Sequence, residues 1–110
     1  MRRPLDRARV LADFRAAVNM EAEEIEAWLE TPASLRVGQK KGDGESIGHA
    51  SGRRIVEILG KKEAQLGEGD YEHMRKVVGY VRRHLAQEPE NTVTSRWRYS
   101  LMNWGHDPLK

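Results

Sequence analysis

The sequence predicts an all-α protein, a compact bundle of four to five short helices with a glycine- and lysine-rich loop between the second and the third. Three observations carry this. Apolar residues recur at three- and four-residue steps, no segment alternates apolar and polar residues cleanly over a strand's length, and clusters of Gly, Pro and Asn interrupt the helical runs. A chain of 110 residues suits a single domain over 1–110 with a modest core.

The first helix is expected from Leu5, with Ala8, Ala12 and Ala16 on one line and Leu11, Phe14 and Val18 beside it. Asn19 reads as the N-cap of a second helix, because Glu21, Glu23 and Glu24 follow where a helix start favours negative charge. That helix buries Ile25, Trp28 and Leu29 and ends at Thr31-Pro32, where proline pushes its predecessor out of helical geometry. Residues 32–46 form the glycine-rich loop. A third helix starts after Ser51 or, better, after Ser46, which lines up Ile47, Ser51, Ile55, Ile58 and Leu59. The earlier start also sets Gly48 and Gly52 four apart, a patch where another backbone can come close. GEGD at 67–70 breaks the chain, with Asp70 as a cap. The fourth helix follows to about Gln87 with Tyr71, Met74, Val77, Val78, Val81 and Leu85 at helical spacing. EPEN at 88–91 breaks it in turn. Thr94 caps a fifth helix through Asn103, with Trp97, Leu101 and Trp104 on one side and Gly105 as the stop.

Composition narrows the classes. Apolar residues are 38% and charged residues 33%, polar but outside the disordered range, and Trp28, Trp97 and Trp104 supply large anchors. Without cysteine there is no disulfide and no thiolate zinc site, which fits a reducing cytoplasm. Apolar stretches are too short to span a membrane, and the basic start MRRPLDRAR lacks the apolar run of a secretory signal. Charge is uneven: five arginines against seven acids over 1–30 give −2, and fourteen Lys/Arg against ten acids over 31–110 give +4, for the net +2. A nucleic-acid reading therefore depends on where cations cluster.

They cluster in doublets. Residues 36–54, RVGQKKGDGESIGHASGRR, hold five glycines and five Lys/Arg. Amides at Gly42, Gly44 and Gly48 with Lys40 and Lys41 before a helix start suit an anion. No Gly-Lys-Ser/Thr triplet closes a nucleotide loop, however, and Asp43 and Glu45 repel phosphate. The stretch thus reads as a connector, a phosphate-contacting loop or a small-molecule site. Arg53 and Arg54 follow, then Lys61-Lys62. On the fourth helix Arg75 aligns with Arg82, and Lys76 with Arg83, seven residues apart, as a basic ridge. Arg96 and Arg98 flank Trp97 with Tyr99 alongside, a pattern that suits base stacking, although Trp97 and Trp104 fit the core better.

His49, His73, His84 and His106 make no i, i+3 or i+4 pairs, so neither metal nor cofactor is expected. A hydrolase would need Glu45, Ser46 or His49 to meet His106, and no catalytic residue is assigned. The acids from Glu21 to Glu30 read as a wet face, or as a dock for a basic partner or a second copy of this chain.

VGQKKGDGESIGHASGRRIVEIL, HMRKVVGYVRRHLAQ and RWRYSLMNWGHDPLK together resemble an uncharacterised bacterial family, domain of unknown function 3140. The resemblance covers about Phe14 to Lys110 and leaves 1–13 as an N-terminal extension. It implies no activity, although some members carry a DNA-binding label.

The leading expectation is a small cytoplasmic protein that binds duplex DNA through phosphates. Lys40, Lys41, Arg53 and Arg54 form one contact cluster and Arg75, Lys76, Arg82 and Arg83 the other, with Arg96 and Arg98 adding to either. The alternative is a self-associating or protein-binding scaffold, and the third is an enzyme built on the Gly42–His49 loop.

Overall fold

A computed structural model describes residues 6–37 and 46–110, among which stand six α-helices, one 3₁₀ turn at Glu63–Gln65 and no strand. Leu5, Lys40, Lys41, Gly42, Asp43, Gly44 and Glu45 lie outside the described residues.

Helix α1 (Arg7–Ala17) starts at Asp6, whose carboxylate accepts a 3.2 Å hydrogen bond from the Arg9 amide. Ala8, Ala12 and Ala16 are exposed, and the buried stripe is Leu11, Phe14 and Val18. Both rows have helical spacing. The helix turns its bulkier row inward because burial free energy scales with apolar area. That row packs along α5 (Glu68–Leu85), the main partner of α1.

Helix α2 (Ala22–Leu29) is capped at Glu21, not Asn19, and the Glu21 amide donates to Glu24 Oε1 at 3.0 Å. Asn19 instead ties the two ends of the fold together. Its Nδ2 donates to the Asp107 carbonyl (2.9 Å) and its Oδ1 accepts from the Asp107 amide (2.7 Å). The Thr31-Pro32 stop is real, but it is also a start. Residues expected in a loop form α3 (Pro32–Val37), with the Ser34 amide donating to Thr31 Oγ1 at 3.2 Å. Proline is tolerated in a first turn because the amide it lacks has no intrahelical acceptor there.

Helix α4 (Ile47–Leu59) takes the earlier start, with Ser46 Oγ accepting from the His49 amide at 3.1 Å. Ser51, Ile55 and Ile58 are buried, whereas Ile47 and Leu59 at the two ends are exposed. Gly48 and Gly52 face α6 (Arg96–Asn103), as the four-residue spacing anticipates. Helix α5 is capped by Gly67 and carries Asp70 in its first turn; its buried face is Tyr71, Met74, Val77, Val78 and Val81, and Leu85 falls outside it. Ser95, not Thr94, caps α6. Gly105 ends it at φ +80°, a left-handed conformation that glycine adopts without penalty.

Helix α6 is the hub: α3 lies mainly on it, it also meets α2, α4 and α5, and α2 packs chiefly on α4. The Cα radius of gyration of 13.9 Å is close to the ~13 Å of a single folded body of this length.

Candidate nucleic-acid interface

Arg75, Lys76, Arg82 and Arg83 all reach solvent along α5, Arg75 and Lys76 in its middle and Arg82 and Arg83 in its last turn. With α1 packed beside that helix, Arg75 and Arg82 share a groove of about 270 Å³ with Arg9, Asp6 and Asp13, floored by Val10, Val78 and Gly79. The Asp6 carboxylate already caps α1. Asp13 stands 3.6 Å from Arg82, a pair open enough for water to screen it. A Cβ at Gly79 would lie 3.0 Å from Arg83 Nη1, so the Arg83 guanidinium folds back over that glycine. Three arginines less two aspartates leave the groove at +1, and Arg83 on its edge makes +2.

Other expected contact residues are engaged within the fold. Arg54 reaches Asp70 at 2.8 Å and Lys61 reaches the same carboxylate at 3.0 Å, while the Gly67 amide donates to it at 3.0 Å. The Gly67 hydrogen bond, with Lys61 and Arg54 added, outweighs burial and holds the Asp70 carboxyl below the usual range. Arg98 grips Asp107 with Nε and Nη2, both at 3.2 Å, and donates through Nη1 to the Val93 carbonyl at 2.7 Å. Burial raises the Asp107 carboxyl, but Arg98 and the Leu109 amide outweigh it and the net shift is downward. Arg53 and Arg96 are exposed. Helices α4 and α5 meet only narrowly, and the Asp70 cluster is the charged link between them. The doublets are therefore not equivalent: the α5 four stand together on one helix, whereas Arg54 and Arg98 are paired with carboxylates.

The described residues of the enzyme alternative each make a hydrogen bond within the fold. Ser46 caps α4, His49 Nε2 donates to the Leu29 carbonyl at 2.7 Å, and His106 Nδ1 donates to the Ala17 carbonyl at 2.7 Å. Among the described residues no group of three or more His, Asp or Glu is placed to hold a metal ion, and no helix is long and apolar enough to cross a membrane.

On the other flank of α5, rings stack in sequence: His73 on Trp104 (6.3 Å), Trp104 on Tyr80 (4.3 Å), Tyr80 on His84 (5.1 Å) and His84 on Trp97 (6.5 Å). Burial depresses both histidines; Arg54 and Lys76 push His73 further down, and the nearby Trp97 backbone partly opposes the shift at His84. The neutral rings are thus the folded forms. Stability from these groups is complete above the unfolded histidine value of about 6.5 and declines as pH falls below it, because the unfolded chain binds the protons first. Asp70 and Asp107, also depressed, stabilise above about 3.9 and lose that as pH falls through their folded values. Melting temperature measured against pH should decline in two stages, from about 6.5 and again below about 4. A flat profile between neutrality and about pH 5 would contradict the histidine assignment.

Sequence reasoning does not find Asn103, which is fully buried and joins α6 to two other helices. Its Oδ1 accepts from Trp28 Nε1 (2.7 Å) and Ser34 Oγ (2.5 Å), and its Nδ2 donates to the Ser34 carbonyl (3.1 Å). The one hint is its place between Leu101 and Trp104 on an inward-facing turn. Arg9 escapes it likewise, because its role depends on α1 lying against α5.

No curated protein and no solved structure matches the chain significantly. The family model described as protein of unknown function (DUF3140) matches residues 13–102, from within α1 to the last turn of α6. That span takes in α2 to α5 and all four α5 cations, and the chain belongs to this family.

Proposed function

We propose that this protein binds double-stranded DNA, chiefly through backbone phosphates and with little sequence preference. One observation supports the reading above others: Arg75, Lys76, Arg82 and Arg83 reach solvent over more than two turns of one continuous helix, with Arg9 beside them in the α1–α5 groove. Guanidinium groups spaced along a helix can each meet a phosphate without reading a base, and phosphate contacts orient a protein on a duplex. Lys40 and Lys41 remain part of the proposal as a second contact, as do Arg53 and Arg96; Arg54 and Arg98 contribute less because of their carboxylate partners.

Fluorescence anisotropy with a short labelled duplex tests this. If about four phosphates are neutralised, affinity falls about 100-fold between roughly 50 and 200 mM salt. The Arg75→Ala/Arg82→Ala variant then binds more weakly and with a shallower salt dependence. No binding at the lowest salt would remove the proposal.

A second reading rests on α2, which exposes Glu23, Glu26 and Glu30 together with Glu21 and Glu24. This acidic side of one copy complements the α5 ridge of another. A dimer that light scattering shows dissociating with salt, combined with no affinity for DNA, would favour it.

A further inference from the structure

The α1–α5 groove is cationic on both sides. Arg9 stands on α1, and Arg75 and Arg82 stand on α5, around a floor of Val10, Val78 and Gly79. Seven residues separate Arg75 from Arg82, about 10.5 Å along the helix axis, and Val78 and Gly79 lie midway. The two long side chains can therefore close on that midpoint from opposite ends, where Gly79 keeps the floor low. Among the described residues neither Arg9 nor Arg75 forms an ion pair, and Arg82 has only Asp13, at 3.6 Å. That pair is 68% and 34% exposed, so exchanging Asp13 for a stronger anion costs little. The Asp6 carboxylate is engaged by the Arg9 amide at the start of α1.

The groove is small. About 270 Å³ falls below the roughly 300–1,000 Å³ of sites for whole small molecules, so it admits one group and not a base or a helix. A phosphodiester within a duplex has two free oxygens, and the sugars on both sides hold it at the surface of the rod. A terminal phosphate monoester has three acceptor oxygens and a charge of about −1.5 to −2 at neutral pH. It is joined to a sugar on one side only, so it can enter the recess. There three guanidinium groups can meet three oxygens in charge-assisted hydrogen bonds.

We infer that this groove seats the terminal phosphate monoester of a DNA strand, so that phosphorylated duplex ends are bound more tightly than uninterrupted duplex. The inference rests on the DNA-binding reading and adds a preference to it. Arg9, Arg75 and Arg82 hold the terminal group, while Lys76 and Arg83, outside the groove lining, meet the phosphates that follow.

Fluorescence anisotropy at one fixed salt concentration compares four internally labelled DNAs of the same core sequence. They are a duplex with 5′-phosphates, one with 3′-phosphates, one with hydroxyl ends, and a dumbbell closed by hairpin loops. A phosphorylated duplex is expected to bind about tenfold more tightly than the hydroxyl duplex, which matches the dumbbell. The arm that gains identifies the strand end that is held. Arg9→Gln should remove the gain and leave the dumbbell bound. Lys76→Gln deletes the same charge at an exposed position on α5 that does not line the groove, so all four DNAs should weaken while the ratio stays. Equal affinity for phosphorylated and hydroxyl ends overturns the inference and leaves DNA binding standing, whereas no affinity for any of the four removes both. A gain that survives Arg9→Gln, or that Lys76→Gln also abolishes, puts the phosphate elsewhere and overturns the inference too.

Discussion

Gly52→Ala should lower the stability of this protein, whereas Gly69→Ala should leave it unchanged or raise it. Helix propensity alone predicts the same sign for both, since alanine is favoured over glycine by up to about 1 kcal/mol at an interior helical position. The neighbours decide the difference. A Cβ at Gly52 would stand 2.7 Å from the Asn103 carbonyl oxygen and 2.7 Å from Leu29 Cδ2, so α4 would have to move away from both α6 and α2. Leu29 can rotate; the Asn103 backbone at the end of α6 cannot give way alone. Overpacking of this kind costs about 1–3 kcal/mol, and more where backbone is the obstacle. For a domain of this size each kcal/mol is about 4 °C, so a drop of about 5–10 °C is expected. At Gly69, in the exposed first turn of α5, the nearest atom to a new Cβ is Arg54 Nη2 at 3.6 Å, an ordinary contact with the far end of a long side chain. Thermal denaturation of the two variants beside the parent is the measurement. Equal shifts in the same direction would mean that α4 and α6 are not in close contact at this point.

The Gly48/Gly52 approach was legible because it depends on spacing within one helix. So were the glycine stop at 105 and the buried rows of α4, α5 and α6, apart from Ile47, Leu59 and Leu85 at helix ends, which are exposed. The misses share another property. Proline at 32 carries the same restriction whether a helix ends before it or begins at it, and the choice fell to a tertiary contact, Ser34 against Asn103. Asn19 has the side chain of a cap but is used to bind Asp107, far along the chain. On α1 two rows of similar period competed, and contact with α5 selected Leu11, Phe14 and Val18 over the alanines. Charge was legible only as position on a helix. That Arg75 and Arg82 align follows from their spacing; that Arg54 and Arg98 are held by Asp70 and Asp107 does not, because those carboxylates come from other segments.

Asn103→Ala should be among the most damaging single substitutions in the chain. The amide is fully buried and joins α6 to α2 through Trp28 and to α3 through Ser34. Removal strands the Trp28 Nε1–H, the Ser34 hydroxyl and the Ser34 carbonyl in a site with little access to water. Each unsatisfied buried group costs about 1–3 kcal/mol, and the vacated volume adds to that. A total above about 3 kcal/mol is a large share of the roughly 5–15 kcal/mol that stabilises a typical domain, so a fall in melting temperature of more than about 10 °C is expected. The cost comes from the stranded partners more than from the lost bonds, which yields a sharper test. Asn103→Leu combined with Ser34→Ala and Trp28→Phe removes the side-chain donors and acceptors together and leaves only the Ser34 carbonyl without its partner, so the triple variant should be less destabilised than the sum of its single variants. A strictly additive result would show that the three side chains do not act as one polar unit. Helix α3 reports on the same unit: its short length gives little intrinsic helicity, so amide exchange within Pro32–Val37 should accelerate in Asn103→Ala well before the protein unfolds as a whole.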